Sequence, residues 1–127
     1  MEIKLALENI DDIVYFYVAK CVKVVDGDTI DIIWDLGAGI QLKGSAARLR
    51  LYGINTPEIR GDEREKGLVS KQFVKDYIEG KHIIIRTHKD RTGKYGRYLA
   101  EVFYEDETGM FHSLNDLLIQ QGLAEKY

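Results

Sequence analysis

Cysteine and proline each occur once in this 127-residue chain, as Cys21 and Pro57. Without a second thiol an internal disulfide is excluded, and a cysteine-built zinc site lacks its ligands. A lone cysteine suits a reducing compartment. No proline- or serine-rich linker, internal repeat or low-complexity tract interrupts the sequence, so a single domain over residues 1–127 is expected. No apolar run approaches the roughly 18–20 residues that a bilayer-crossing helix needs. The start, Met1-Glu2-Ile3-Lys4-Leu5-Ala6-Leu7-Glu8, has no basic opening, sustained apolar run or small-residue cleavage motif, and does not read as a signal peptide. The expected location is the cytoplasm, away from membranes; a processed N-terminus would leave secretion open.

Nor does one sign of charge dominate. The net charge is −3, with 31% charged and 45% hydrophobic residues, an ordinary globular composition that excludes wholesale disorder. The distribution says more. Residues 36–61 carry +3 (Lys43, Arg48, Arg50 and Arg60 against Glu58), and 85–98 carry +4 (Arg86, Lys89, Arg91, Lys94 and Arg97 against Asp90). Residues 1–19 carry −3 and 99–127 carry −5. Two basic islands in an acidic chain point to a local anion site; scattered solvated loops are the plainer alternative.

Ile13-Val14-Tyr15-Phe16-Tyr17-Val18, with Val24 and Val25 beyond, reads as a long strand ending at the hairpin signal Asp26-Gly27. Thr29–Asp35 alternates as a second strand, and Ile40 and Leu42 lie between glycines as a small extra hairpin. Arg48–Ile54 alternates as a third strand, with Leu49 and Leu51 opposite Arg48 and Arg50. Asp62-Glu63-Arg64-Glu65 resembles a helix start, although Gly67 shifts the expected start toward Leu68. Val69, Phe73 and Tyr77, like Val74 and Ile78, then recur every four residues, with Gly80 as a stop. Lys81–Arg86 and Tyr98–Tyr104 read as fourth and fifth strands around a turn at Thr92-Gly93-Lys94-Tyr95-Gly96. A short helix opens at Ser113 and closes at Gly122. The order is that of an OB-fold: mainly β with α, a five-stranded Greek-key barrel with a helix between strands 3 and 4 and a short C-terminal helix. A plain α+β sheet is the competing architecture.

Four segments carry the chemistry: Val25-Asp26-Gly27-Asp28-Thr29, Arg50-Leu51-Tyr52-Gly53-Ile54-Asn55-Thr56-Pro57-Glu58, Lys94-Tyr95-Gly96-Arg97 and Gln121-Gly122-Leu123-Ala124. In this order and near this spacing, over about 14–124, the chain resembles the staphylococcal (micrococcal) nuclease, or thermonuclease, family. Hydrolysis of a phosphodiester builds negative charge on the equatorial oxygens of a five-coordinate phosphorus. It therefore calls for fixed positive charge and an oriented in-line water. Arginine suits the first task through its planar, permanently charged fork, and a carboxylate suits the second. A hard divalent cation on oxygen ligands would neutralise the remainder.

The resemblance implies the roles. Arg50 and Arg97 match the catalytic arginines and Glu58 the carboxylate that activates water. Asp28 matches the calcium carboxylate, Thr56 a main-chain carbonyl ligand and Asn55 a further ligand. Asp26 supports the metal carboxylate and makes the turn. Lys94 and Tyr95 match contacts to a terminal phosphate, and Tyr127 lies one residue short of a substrate-contacting tyrosine. It further implies an endonuclease on DNA and RNA, calcium as cofactor and 3′-phosphate products; single-stranded or flexible substrate and a monomeric state are expected.

Three features depart from the family. Asn55 stands where aspartate is usual, which removes a charge, weakens the expected metal binding and opens the site to Mg²⁺. The family's last helix does not follow the Gln-Gly-Leu-Ala motif within these residues. The chain is also acidic where the best-known member is strongly basic, which predicts weaker non-specific attraction to nucleic acid. A binding module that holds nucleic acid or a protein segment without cutting remains the alternative, and an oligosaccharide-binding OB domain a weaker third. The other candidates are plainer. Cys21 is expected to be a small packed residue, and His82, His88 and His112 lack metal-like spacing. Tyr15-Phe16-Tyr17 has two uses, sheet packing or base stacking, of which packing is expected.

Overall fold

The computed structural model describes residues 15–88 and 98–127. Ile13, Val14, Lys94, Tyr95 and Arg97 lie outside the described residues. The barrel strands are β1 (Phe16–Asp26), β2 (Thr29–Gly37), β4 (Arg48–Leu51), β6 (His82–His88) and β7 (Tyr98–Glu105), and short β3 (Ile40–Leu42) extends β2. The spatial order β1-β6-β7-β4-β2 closes into a ring because β1 also pairs with β2. That closed five-stranded barrel is the OB architecture expected from the strand order, and the flat-sheet alternative falls. β1 serves both neighbours: residues 16–20 run against β6 and 19–26 against β2. Its register shifts at Cys21/Lys23 and Val24/Asp26. Such bulges bend a strand and raise its twist, as closure requires. Beside them the Val24 amide donates to Glu79 Oε2 at 2.9 Å.

Alternation along the strands turns Val24, Ile30, Ile32, Leu49, Leu51, Ile83, Ile85, Ala100 and Val102 into the barrel. Cys21 joins them with no exposed surface. Burial, aided by the charge of Glu79, pushes its thiol up to about 12, so it packs as a small hydrophobe. Helix α1 (Arg64–Ile78) plugs one side with Gly67, Ser70, Val74 and Ile78. Fully burying side chains the size of Val74 and Ile78 stabilises by about 1.5–3 kcal/mol each. The sequence pattern placed Val69 with Phe73 and Tyr77, but Val69 is exposed. The helix also begins four residues earlier than Leu68, straight through Gly67, after a 3-10 turn at Gly61–Glu63.

Helix α2 (Leu114–Gln120) buries Leu114 and Leu118. The Ser113 hydroxyl caps it, accepting from the Asp116 amide at 3.1 Å. Its buried Asn115 spans a seam: Oδ1 accepts from the Val102 amide at 2.9 Å, and Nδ2 donates to Tyr52 O at 2.9 Å and Ala100 O at 3.3 Å. That seam, β4 with β7, is parallel.

Three short strands escaped the pattern or altered it. The expected third strand breaks at Tyr52-Gly53, where Gly53 has φ +75°, and resumes as β5 (Ile54–Asn55). β8 (Phe111–Ser113) pairs with β7 across a turn that Asp106 organises, accepting from the Thr108 hydroxyl at 2.6 Å and from His112 Nε2 at 2.6 Å. β9 (Glu125–Lys126) pairs with β5. Tyr17 packs edge-on against Trp34 at 5.3 Å and Phe16, itself partly exposed, tilts against Phe103 at 6.1 Å, whereas Tyr15 of the same run is exposed. The Trp34 indole N–H is buried without a partner among the described residues, and nothing in the structure explains it. Among the described residues no helix is long and apolar enough to cross a membrane.

Candidate active site

The two-residue turn between β1 and β2 positions Asp28. Gly27 is required there for space: a Cβ would lie 2.9 Å from Ser70 Cβ and 2.9 Å from Thr56 Cγ2. The turn thus presses against both α1 and the segment that follows β5. Asp28 is fixed from two sides, with Oδ2 accepting from the Thr56 amide at 3.2 Å and Oδ1 from the Thr29 hydroxyl at 3.2 Å. β4 lies next to β2, with Arg50 opposite Thr29. Alternation that buries Leu49 and Leu51 sends Arg50 outward beside Asp28.

Arg50 is itself anchored. Its Nη2 donates to Ile54 O at 3.2 Å and to Asn55 Oδ1, and sits 3.8 Å from Asp28 Oδ2. All these contacts use one nitrogen; Nη1 and Nε have no partner among the described residues. The guanidinium carbon lies 5.0 Å from the centre of the Tyr127 ring. Tyr127 arrives there because β9 pairs with β5 and its amide donates to Gly53 O at 2.9 Å.

Glu58 leaves the segment after Pro57 as an exposed residue. Its amide donates to Glu63 Oε2 at 3.2 Å, and its carboxylate has no partner among the described residues. Gly67 of α1 packs flat on the Glu58–Ile59 peptide. From the next turn of the same helix, Ser70 Oγ donates to Leu123 O at 2.8 Å, which ties α1 to the Gln121-Gly122-Leu123-Ala124 turn. Asp26, Asp28, Arg50, Asn55, Thr56 and Glu58 line one open cleft of about 1090 Å³.

Of the residues named from sequence, Asp28, Arg50, Asn55, Thr56 and Glu58 are thus brought together, and Tyr127 joins them over Arg50. Lys94, Tyr95 and Arg97 lie outside the described residues. Gly67 and Ser70 escaped sequence reasoning. The signal for Gly67 was present: a glycine inside an otherwise good helix is tolerated for a reason, usually close packing.

The segment from Arg50 to Glu58 and the Gln121-Gly122-Leu123-Ala124 turn lie within residues 48–127, more than half the sequence, which match a family model described as staphylococcal nuclease homologue; Asp26 and Asp28 lie before that range. The chain belongs to the staphylococcal nuclease family. Within that family it is 33% identical to the thermonuclease of Staphylococcus intermedius over 80% of this chain and 55% of that protein. It is 31% identical to the thermonuclease of Staphylococcus hyicus over 83% of this chain and 56% of that one. An uncharacterized protein of Methanocaldococcus jannaschii is 29% identical, over 87% of this chain and 59% of its own length. The chain therefore spans somewhat over half the length of these relatives.

For a staphylococcal nuclease-family chain, the fit of a cation to this cleft is a matter of donor chemistry. The Asp28 carboxylate, the Asn55 carbonyl and the Thr56 main-chain carbonyl are hard oxygens, suited to calcium or magnesium and unsuited to thiolate-loving metals. Only Asp28 among them is charged, and the Asn55 oxygen is turned to Arg50. Among the described residues no three His, Cys, Asp or Glu side chains converge as a metal cage.

Proposed function

We propose that this chain is a metal-dependent endonuclease that hydrolyses phosphodiester bonds of DNA and RNA. The observation that carries the reading is the state of Arg50. Asn55, Ile54 and Asp28 hold one edge of its guanidinium, and among the described residues its other two nitrogens, and the Glu58 carboxylate in the same cleft, have no partner, which leaves them for an anion and a water. Preorganised donors of this kind stabilise charge that develops on a transferring phosphoryl group. In this reading Arg50 grips the equatorial oxygens, with Arg97 as its partner by family resemblance, and Glu58 takes the proton of the attacking water. Lys94, Tyr95 and Tyr127 contact substrate. Asp28, Asn55 and Thr56 would hold the divalent cation, which when bound neutralises phosphate charge.

The test is digestion of heat-denatured DNA and of RNA by the purified protein, with calcium, magnesium or excess chelator, beside Glu58→Gln. Cleavage is expected to require the cation and to fall about a hundredfold in the variant, the scale of a lost general base. Cleavage indifferent to the substitution would remove Glu58 from that role.

One observation favours a second reading, a module that binds without cutting: the neutral Asn55 at a ligand position, its oxygen engaged by Arg50. Cation-dependent binding of an oligonucleotide with no cleavage product would favour the binding module, and calorimetry tests the residue that motivates it. Asn55→Asp restores a second charged ligand and is expected to tighten calcium binding at least tenfold. Unchanged affinity would take residue 55 out of the metal site.

A further inference from the structure

Alternation along β4 buries Leu49 and Leu51 and turns Arg48 and Arg50 outward, and the residue just past the strand's end, Tyr52, is exposed as well. Two residues after Arg50, Tyr52 lies within about 7 Å of it along the chain, beside the cleft rather than in its lining. The residue is 43% exposed, yet it is held in place. The order comes from both main chain and ring. The Tyr52 amide donates to Ala100 O at 2.8 Å, and its carbonyl accepts from buried Asn115. One face of the ring lies flat on His88, with centroids 3.8 Å apart and planes within 4°. His88 is braced from behind by Glu101 at 2.8 Å.

An aromatic ring held by its main chain and by a stacked neighbour, on a residue that remains exposed, suits a planar ligand, because its ordering cost is met before binding. Since every base has a π-face, base identity does not decide stacking on an aromatic ring face. Such faces take any base that is out of its duplex stack. We infer that the Tyr52–His88 pair is a stacking shelf for one unpaired nucleobase of the strand whose phosphate lies at Arg50. This rests on the nucleic-acid reading above and adds a reason for single-stranded substrate that the catalytic groups do not supply.

The test measures binding in excess chelator, where no cleavage is expected, by fluorescence anisotropy of two end-labelled probes: hexathymidine and an abasic hexamer with the same phosphates. The wild-type chain is expected to prefer hexathymidine. Tyr52→Ala should shrink that preference by about fivefold to a hundredfold, the range for one base stacked on an aromatic ring, while Tyr52→Phe keeps it. Tyr52→Leu, which retains bulk without a ring, replaces the alanine variant should that one not fold, as judged by its melting curve. Full preference retained by the ringless variants overturns the shelf. Equal binding of both probes by the wild type also overturns it while leaving a phosphate grip intact. Binding of neither probe overturns the nucleic-acid reading itself.

Discussion

Replacing Arg50 with lysine is expected to lower the rate of phosphodiester cleavage by about a thousandfold, with substrate affinity changed only a few-fold. Lysine keeps the charge, so a site that needed only positive potential would tolerate it. The observed arrangement asks for more. One guanidinium nitrogen meets Ile54 O, Asn55 Oδ1 and Asp28 together, while Nη1 and Nε have no partner among the described residues. An ammonium is a single point that can serve the protein's acceptors or the phosphate, but not both in the same geometry. Removing one preorganised donor costs roughly 10²–10³ in rate, and removing a transition-state arginine roughly 10³–10⁵. The measurement is single-turnover cleavage at saturating enzyme, which isolates the chemical step. A lysine variant within tenfold of wild type would mean that Arg50 serves the fold and does not touch the reacting phosphate.

The second large effect is expected at a residue with no chemistry of its own. Alanine inside a helix ordinarily stabilises relative to glycine by about 0.5–1 kcal/mol. At Gly67 the sign should reverse. A Cβ there would lie 2.6 Å from the Glu58 carbonyl carbon and 2.8 Å from the Ile59 nitrogen, and closer still to the Glu58 oxygen. These are main-chain atoms and cannot swing aside as the tip of a side chain would. Either α1 or the segment bearing Glu58 must move. Overpacking of this kind costs about 1–3 kcal/mol, which outweighs the propensity gain. Gly67→Ala is therefore expected to lose about 1–2 kcal/mol in urea unfolding. Because a misplacement near 1 Å costs about a hundredfold in rate, cleavage should also fall by that order while oligonucleotide binding persists. Leu68→Ala, at an exposed neighbouring position, is the control and should do neither. A Gly67→Ala protein with full activity would separate the helix packing from the placement of Glu58.

These two residues also mark where the sequence was legible and where it was not. The barrel could be read because its strands obey a period of two. Leu49 and Leu51 bury while Arg50 faces out, and no tertiary information is needed to see it. Val69 misled because helical spacing fixes which residues share a face, not which face meets the barrel. The packed face runs through Gly67 and Ser70, and small residues carry no hydrophobic signal. β5 and β9 were illegible for another reason. Two-residue strands have no period, and each exists only because the other lies beside it. Asp28, Arg50 and Glu58 were found through residue types in motif order. Tyr127 was marked from its distance past the last motif, yet its position over Arg50 depends on that unpredicted pairing. Tyr52 was read only as a strand residue, because its partner His88 lies thirty-six positions away in sequence.

The parallel seam has a consequence for how the chain reaches this state. Most pairings of the barrel are antiparallel, and several join strands that follow one another in sequence, so they can zip from a turn. β4 and β7 cannot, since Leu51 meets Ala100 across nearly fifty intervening residues. The entropy of closing that loop must be met before its hydrogen bonds give any return, which makes this seam a natural late and slow event. Asn115 can complete its bonds to Tyr52, Ala100 and Val102 only when α2 docks on the closed seam. Nascent chains would thus carry formed hairpins well before the outer face of β4 acquires its neighbours. A half-folded molecule would hold Arg50 on an open edge, without the finished surface that surrounds it in the closed barrel.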